Sequence, residues 1–223
     1  MRRHTSGITA TILALSAVAL ACSAPQSLPV FSPGALPVGE GVLRDQFDNN
    51  NLGWDNVSGA EGATWIENGK LKINIKTQFA EVWSNPSDKF PIPDDVIIEV
   101  KAENTGSPDN YFGVLCRYQD LQNFYFLVVS SDGYYGIGKV VQGKQNLVNR
   151  TEMPPSEVLK DLAVIKLRAE CTGKRLALFV NGKLLDEQED TQFTKGTVGL
   201  IAGNYKEEVS VLFDDFEVYK LKP

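Results

Sequence analysis

Three runs of apolar and aromatic residues follow one another between Tyr111 and Val140, in the sequence YFGVLCRYQDLQNFYFLVVSSDGYYGIGKV. Two short polar segments, residues 119–123 and 131–133, separate the runs. Tyr, Phe and Val are favoured in pleated sheets, and Asp-Gly between such runs indicates a tight hairpin. The pattern therefore predicts three consecutive antiparallel strands at the centre of a sheet. Apolar side chains on both faces indicate that both faces are covered, as in the middle of a sandwich.

Alternating segments predict further strands on either side of this meander. Apolar and polar residues alternate with a period of two in residues 70–76 and again in residues 163–171. Asn-Gly pairs at positions 68–69 and 181–182 lie between such segments and predict tight hairpins. Many short strands with glycine turns are typical of an all-β sandwich or jelly roll of two antiparallel sheets. We expect this domain to span residues 42–221.

The first residues have the features of an export signal. Arg2 and Arg3 precede an apolar run over residues 8–20, which is too short to span a bilayer comfortably. Because Cys22 follows directly after small residues, the segment resembles a bacterial lipoprotein leader. The resemblance implies that residues 1–21 are removed and that Cys22 carries lipid. The alternative is an ordinary secretory signal followed by an incidental cysteine.

Residues 22–41 are rich in Pro, Ser and Gly and follow neither the strand period nor the helix period. Such a composition predicts an extended tether that lifts the domain off a membrane surface. We therefore expect a protein of the cell envelope that lies outside the cytoplasm and is anchored to a membrane by its lipid.

Charge and histidine content exclude several functions. Removing the leader leaves 20 basic and 28 acidic residues, a formal charge of about −8, which disfavours nucleic acid and anionic lipid as partners. The one histidine, His4, belongs to the leader. The mature chain therefore lacks an imidazole, which excludes Ser-His-Asp and Cys-His catalysis and a histidine-ligated zinc site.

Several short motifs recur in an order known from one superfamily. They are Phe47-Asp48, Gly53-Trp54, Tyr111-Phe112-Gly113-Val114, Arg117-Tyr118, Phe124-Tyr125-Phe126, Asp132-Gly133, Val180-Asn181-Gly182 and Phe213-Asp214-Asp215-Phe216. Over about residues 42–220 the chain resembles the concanavalin A-like lectin/glucanase superfamily, with laminin-G-like domains and 3-keto-disaccharide hydrolase domains as the nearest branches. The resemblance implies a jelly roll of two antiparallel sheets, one of them concave, with ligands on the concave face or its rim.

Cys116 and Cys171 are the cysteines that remain when Cys22 carries lipid. Both fall on predicted strands and both have an inward phase. An exported chain with two such cysteines is expected to join them, so the sequence predicts a Cys116–Cys171 disulfide. The alternative is a pair of buried free thiols.

Strand alternation places Arg117 and Tyr111 on the face opposite Cys116, and Glu99 is expected on the same sheet face. An arginine beside a carboxylate and tyrosines suits sugar hydroxyls, because its planar fork donates several fixed hydrogen bonds. Tyr111, Tyr125 and Tyr135 are candidates for stacking on pyranose rings. We therefore predict a carbohydrate site on this face, with a structural ion pair and ordinary aromatic packing as the alternative.

Acidic residues in the first and last predicted strands suggest a calcium site. Asp45 lies in the first strand and Asp214-Asp215 in the last, and these strands commonly pair in the resembled fold. Clustered carboxylates suit Ca²⁺, so a structural Ca²⁺ is the expected cofactor. The alternative is that these acids cap a turn and pair with Lys or Arg.

Three functions follow from these features. The first is a surface-anchored, non-catalytic carbohydrate-binding or adhesion module whose partner is a glycan or polysaccharide. The second is a glycoside hydrolase that resembles the 3-keto-disaccharide enzymes, and the third is a structural envelope protein. The Glu-x-Asp-x-x-Glu strand of the glucanase branch does not occur in the sequence, which favours binding over hydrolysis.

Overall fold

The computed structural model describes residues 34–160 and 162–223. The predicted leader, Cys22 and most of the tether lie outside these residues. Fourteen strands and a turn of 3-10 helix at Glu157–Leu159 form the described part. The strands are β1 Val38–Asp45, β2 Gly62–Glu67, β3 Lys70–Ile75, β4 Glu81–Ser84, β5 Val96–Asn104, β6 Asn110–Asp120, β7 Asn123–Val129, β8 Tyr135–Val141, β9 Lys144–Leu147, β10 Ile165–Thr172, β11 Arg175–Val180, β12 Lys183–Glu189, β13 Thr197–Asn204 and β14 Val209–Leu221.

The strands form two antiparallel sheets, as the sequence predicts. The eight-stranded sheet has the order β12-β11-β10-β5-β14-β3-β2, and β1 also pairs with β14. The six-stranded sheet has the order β4-β13-β6-β7-β8-β9. The predicted meander is confirmed as β6, β7 and β8 inside the six-stranded sheet. In the described part of the chain, no helix is long and apolar enough to cross a membrane.

The folded domain begins before the predicted boundary at residue 42. β1 begins at Val38, which pairs with Leu221, and the Lys222 amide donates to the Pro37 carbonyl at 3.1 Å. Residues 38–41, which the sequence assigns to the tether, therefore belong to the sheet. The hydrophobic period misses them because this part of β1 is largely exposed and contains two glycines, so backbone hydrogen bonds hold it without apolar burial.

A charged cluster holds residues 34–37 against the outer face of the eight-stranded sheet. The Glu170 carboxylate is fully buried, accepts the Leu36 amide at 3.0 Å, and is paired with Arg168 and Arg175. Arg175 also donates to the Gly34 carbonyl at 2.8 Å. A buried carboxylate requires such partners because burial alone disfavours its charge. The chain therefore enters the domain on the eight-stranded side.

The two Asn-Gly turns form as predicted because both central residues take left-handed backbone. Asn68 and Gly69 have φ of 51° and 71°, and Asn181 and Gly182 have φ of 48° and 78°. Asparagine and glycine tolerate positive φ, and two such residues produce the turn that matches strand twist. These turns fix the registers of the β2–β3 and β11–β12 hairpins.

The main core lies between the two sheets, and the predicted disulfide crosses it. Inward-facing residues of β5, β10 and β14 pack against those of β6, β7 and β13, and most are at most 1% exposed. Cys116 of β6 and Cys171 of β10, which are 55 positions apart in sequence, form a disulfide. The prediction is confirmed, and the bond joins the six-stranded sheet to the eight-stranded sheet.

Candidate functional site

The outer face of the six-stranded sheet carries a second apolar cluster because glycines leave room for aromatic rings. An added Cβ at Gly138 would meet the Phe126 ring at 2.0 Å, and one at Gly203 would meet the Tyr111 ring at 2.0 Å. Both rings therefore extend over the neighbouring strand. Leu115, Phe124, Val128, Val140 and Ile201 complete this cluster with Phe126.

A cleft of about 710 Å³ opens on this face at one end of the sheet. Phe126 and Val128 of β7, Leu147 of β9 and Met153 form its apolar lining. Loops that follow or precede these strands supply the polar lining. Concave sites with an apolar lining and a few convergent polar groups are the usual form of a small-molecule site. We refer to this feature as the tyrosine cleft.

Hydrogen bonds tie the loops around the tyrosine cleft together. The Asn110 side chain is fully buried, donates to Ser131 Oγ at 3.1 Å and accepts the Ser131 amide at 3.1 Å. The Tyr135 amide donates to the Pro154 carbonyl at 3.1 Å, which fixes the segment after β9 to the start of β8. These hydrogen bonds hold the walls of the cleft in place.

Three tyrosines line the cleft: Tyr111, Tyr134 and Tyr205. The ring centroids of Tyr111 and Tyr205 are 5.8 Å apart. Tyr134 is 42% exposed and Tyr205 is 39% exposed, so both present ring surface to solvent. Rings held in this way offer a flat apolar surface together with a hydroxyl.

Tyr111 is fixed by an acid on the neighbouring part of the sheet. Its hydroxyl donates to Glu81 Oε2 at 2.8 Å. Burial, and next the Glu81 charge, raise the pKa of Tyr111 above its usual value, and burial also raises the pKa of Glu81. Glu81 itself is not among the residues that line the cleft. The hydrogen bond therefore orients the ring and does not present a carboxyl group to a ligand.

Carboxylates outnumber cations in the cleft lining. The acids are Asp109, Asp132 and Glu152, and the one cation is Arg150. Arg150 is already engaged, because its guanidinium donates to both carboxylate oxygens of Asp186 at 3.2 and 3.0 Å. Burial, and next the charges of Asp109 and Asp132, raise the pKa of Tyr205. The cleft therefore combines aromatic surface with hydrogen-bond acceptors.

A second aromatic group lies on the same outer face. The rings of Trp83 and Tyr118 flank Phe124 at centroid distances of 5.6 and 5.5 Å. Trp83 Nε1 donates to the Tyr118 hydroxyl at 3.4 Å. Trp83 and Tyr118 are half-buried, so part of each ring faces solvent. The aromatic surface therefore extends across the sheet beyond the tyrosine cleft.

Of the predicted ligand residues, Tyr111 lies at the cleft and Arg117 does not. Arg117 is 2% exposed, and its guanidinium donates to the Phe193 carbonyl at 2.9 Å and to Asp95 Oδ1 at 3.1 Å. It also donates to the Asp94 carbonyl at 3.3 Å. The expectation of an exposed Arg117 on the ligand face is therefore wrong, and Arg117 joins two loops inside the domain.

A β-bulge explains this error. Arg117 has a φ of 50°, and the pairing of β6 with both neighbouring strands shifts register around it. An extra residue at a bulge reverses the alternation that follows it. Cys116 therefore faces the core as predicted, whereas Tyr118, which shares its phase in the sequence, packs on the outer cluster.

The predictions for Tyr125 and Tyr135 as stacking residues are also wrong. Tyr125 is fully buried in the main core, where its hydroxyl donates to Asp190 Oδ1 at 2.5 Å and accepts the Phe193 amide at 3.0 Å. Tyr135 is half-buried and packs against the same core. Both residues occupy inward positions of their strands, next to outward Phe126 and Gly136.

Glu99 lies on a different sheet from the predicted site. It belongs to β5 of the eight-stranded sheet, where its carboxylate pairs with Lys166 at 2.7 Å and Arg168 at 3.1 Å. The expected common face of Glu99 and Arg117 is therefore wrong. β5 and β6 are consecutive along the chain but belong to different sheets. Alternation within one strand does not indicate which sheet the strand joins, so the sequence did not reveal this separation.

The aspartates predicted as calcium ligands have protein partners. Asp45 accepts Trp54 Nε1 at 2.9 Å and the Phe47 amide at 2.8 Å, whereas Asp215 pairs with Lys101 at 2.6 Å. Asp214 accepts the Asp215 amide at 2.7 Å. β1 and β14 do pair, as expected. Within residues 34–160 and 162–223, no three His, Cys, Asp or Glu side chains group as metal ligands, and the structural Ca²⁺ stays a prediction.

Sequence reasoning missed Tyr134, Tyr205, Asp109 and Asp132, which lie in loops. Hydrophobic periodicity predicts which strand residues face the core and which face solvent, but it gives no information about loop residues. For Asp132 and Tyr134 the signal available in the sequence was the polar segment at residues 131–133, because binding residues are found disproportionately on loops.

Comparison with solved structures defines the class of fold. The chain is similar to the carbohydrate-binding module CBM66 from Bacillus subtilis, with a TM-score of 0.61 and 16% identity over 76% of this chain and 98% of that one. It is also similar to a Bacillus subtilis protein of unknown function with a galectin-like fold, with a TM-score of 0.59 and 13% identity over 85% of this chain and 100% of that one. For a Bacillus licheniformis β-glucanase the TM-score is 0.58 and the identity 11%, over 82% and 99% of the two chains.

The chain therefore has the concanavalin A-like jelly-roll fold, as its motifs predicted. No protein-family model and no curated protein matches the sequence. At these low identities the likeness establishes the fold, and the fold by itself does not specify an activity.

Proposed function

We propose that this protein is a non-catalytic carbohydrate-binding module, held at a membrane of the cell envelope by a lipid on Cys22. The observation that carries the proposal is the tyrosine cleft on the outer face of the six-stranded sheet. Its walls are fixed by hydrogen bonds of the buried Asn110 side chain, and it exposes the rings of Tyr134 and Tyr205 beside carboxylate acceptors.

The chemistry of the cleft fits a sugar. A pyranose ring has an apolar face formed by its C–H groups and an edge of hydroxyl donors. Tyrosine rings supply a matching flat surface, and the side-chain oxygens of Asp109 and Asp132 offer hydrogen-bond acceptors. An open cleft of about 710 Å³ has room for a few sugar units. The structural similarity to a carbohydrate-binding module and a β-glucanase supports the same ligand class.

The position of the tether supports binding to a glycan outside the membrane. Residues 34–37 lie against the eight-stranded sheet, through Glu170, Arg168 and Arg175. The tyrosine cleft is on the other sheet. An anchored tether that enters on the eight-stranded side leaves the cleft open to a glycan.

A glycan array followed by calorimetry tests the binding function. The full chain with Cys22→Ser, which cannot accept lipid, is the protein used. We expect at least one glycan to bind, and Tyr134→Ala and Tyr205→Ala each to weaken binding by up to about tenfold, since a stacked aromatic contact contributes about 0.5–1.5 kcal/mol. Leu121→Ala is the control, because Leu121 is 68% exposed and does not line the cleft. Failure of every glycan to bind would favour a structural envelope protein.

Hydrolysis is the second candidate, and the acids of the cleft are the observation that favours it. Glycosidases use paired carboxyl groups, and Asp109, Asp132 and Glu152 all line the cleft. A bound glycan is incubated with the protein, and new reducing ends are measured. Release of reducing ends that is lost in Asp132→Asn would replace the binding proposal with a hydrolase, whereas an intact glycan supports a binding module.

The lipid anchor has its own test. Intact-mass analysis of the protein from its native host should find a diacyl- or triacyl-modified Cys22 as the first residue. Cys22→Ser should release the protein from membranes. An unmodified Cys22 in the native protein would remove the anchor from the proposal and leave the glycan site unaffected.

A further inference from the structure

Charge is distributed unevenly around the tyrosine cleft. Asp109, Asp132 and Glu152 line it, and in the described part of the chain no Lys or Arg forms a salt bridge with any of them. This differs from the eight-stranded sheet, where Glu99 and Glu170 are each paired with two basic residues.

The one cation in the cleft does not offset these acids. Arg150 forms a bidentate pair with Asp186, whose side chain is 3% exposed. Two oxygens of one carboxylate occupy the guanidinium fork, so its charge is largely neutralised before a ligand arrives. The net charge that a ligand meets is therefore negative.

The negative charge lies beside the ring surface. Asp109, Asp132 and Tyr205 all line the cleft, and burial, followed by the charges of the two aspartates, raises the pKa of Tyr205. The Asp109 carbonyl accepts the Tyr205 amide at 3.4 Å, and the Asp132 carboxylate accepts Ser130 Oγ. A ligand group that stacks on Tyr205 therefore occupies the same cleft as both aspartates.

From this arrangement, and on the basis of the proposed function, we infer that the cleft selects its glycan by charge. Its ligand is an uncharged or amine-bearing glycan, and glycans that carry carboxylate or sulfate are rejected. Like charges placed opposite each other across an interface exclude wrong partners, because neither charge can be neutralised on binding. The ring surface supplies the attraction, and the acids supply the discrimination.

The probes are matched polysaccharides that differ in charge. Uncharged β-glucan, mannan, xylan, galactan, fructan and chitin are each tested beside a carboxymethylated derivative. A hydroxyethyl derivative is uncharged and of similar bulk, so it separates steric exclusion from charge. We expect the protein to bind at least one parent polysaccharide and its hydroxyethyl derivative. The carboxymethyl derivative should bind about tenfold more weakly at low salt, and the difference should shrink as NaCl rises towards 0.5 M, because salt shortens the screening length to a few ångströms.

A pair of double variants separates the cleft from the overall acidity of the chain. Asp109→Asn/Asp132→Asn removes two charges in the cleft. It should reduce the difference in affinity between the parent and the carboxymethyl polysaccharide. Asp88→Asn/Asp94→Asn removes two exposed charges that do not line the cleft and should leave the difference unchanged.

Each result decides the inference. Equal binding of carboxymethyl and parent polysaccharide, or equal narrowing in the two double variants, would overturn charge selection while carbohydrate binding stands. If no polysaccharide and no derivative binds, the proposed function and this inference are overturned together.

Discussion

Tyr111 lies over Gly203 of the neighbouring strand, where a Cβ would come within 2.0 Å of its ring. The glycine thus determines the position of one wall of the tyrosine cleft. The ring of Tyr111 is held there by its hydrogen bond to Glu81 and by contact with Tyr205.

Gly203→Ala should therefore impair the site more than the fold. The atoms that the new methyl group would meet belong to the far end of the Tyr111 side chain, which is half-buried and can turn outward. We expect glycan affinity to fall severalfold and the free energy of unfolding to fall by about 1 kcal/mol. Calorimetry and urea unfolding measure the two effects. In the control Gly41→Ala, no atom lies within 4 Å of the added methyl group, and both quantities should be unchanged.

Gly138→Ala should mainly reduce stability. The added methyl group would meet the Phe126 ring at 2.0 Å, and Phe126 is only 3% exposed. The ring cannot turn into solvent without losing its packing, so the free energy of unfolding should fall by about 1–3 kcal/mol. Urea unfolding beside Gly41→Ala measures the difference. Equal stability of the two variants would contradict the packing of Phe126 over β8.

Loss of the disulfide should destabilise the domain strongly. Cys116 and Cys171 are separated by 55 residues, and closing a loop of this length contributes about 4 kcal/mol in the chain-entropy model. Cys116→Ala/Cys171→Ala should therefore unfold at a lower urea concentration than the wild type. Dithiothreitol should destabilise the wild type and leave the double variant unchanged. If dithiothreitol, added while the wild type is unfolded, does not change its urea unfolding midpoint, the disulfide does not form.

Arg117→Met should lower the free energy of unfolding because it leaves the buried carbonyl of Phe193 and the part-buried carbonyl of Asp94 without their donor. Each unsatisfied buried carbonyl costs about 1–3 kcal/mol. The loss of the pair with Asp95 adds less, since that side chain is 51% exposed. The expected decrease in the free energy of unfolding is about 2 kcal/mol or more.

Arg44→Met is the matched control for Arg117, because Arg44 is 66% exposed in its pair with Glu217. Its removal should cost less than about 1 kcal/mol. Thermal melts compare the two variants. A small change in melting temperature for Arg117→Met, together with a loss of glycan binding, would indicate that Arg117 contacts the ligand.

Asp190 should make stability depend on acid pH. Burial disfavours its charged form, but hydrogen bonds from Lys139 and Tyr125 outweigh burial and hold its pKa below the usual value. A lowered folded-state pKa contributes stability above the unfolded pKa of about 3.9, and this is lost as the pH falls through the folded pKa. Asp190→Asn should therefore lower stability at pH 7 by roughly 1–3 kcal/mol, and the difference from wild type should shrink at pH 3.

Urea unfolding at the two pH values measures this effect. Glu189→Gln is the control, because Glu189 is 63% exposed in its pair with Lys174. The control should change stability little at either pH. A difference between Asp190→Asn and wild type that stays constant from pH 7 to pH 3 would contradict the linkage.

The sequence by itself determined the strands, the hairpins, the jelly roll and the inter-sheet disulfide. Periodicity in residues 70–76 and 163–171 and the Asn-Gly turns are local signals, because side-chain alternation and positive φ are properties of neighbouring residues. The inward phase of Cys116 is equally local. Predictions from such local patterns hold in the folded protein as long as the strand has no bulge.

Only the tertiary structure decided the composition of the site. A bulge at Arg117 reversed the alternation from which its exposure was predicted, and β5 and β6 separated into different sheets, which removed Glu99 from the ligand face. Tyr205 and Asp132 meet in the cleft although they are far apart in sequence. Pairing between strands that are distant in sequence brings these loops together. The periodicity of a single segment does not indicate which distant strand it pairs with.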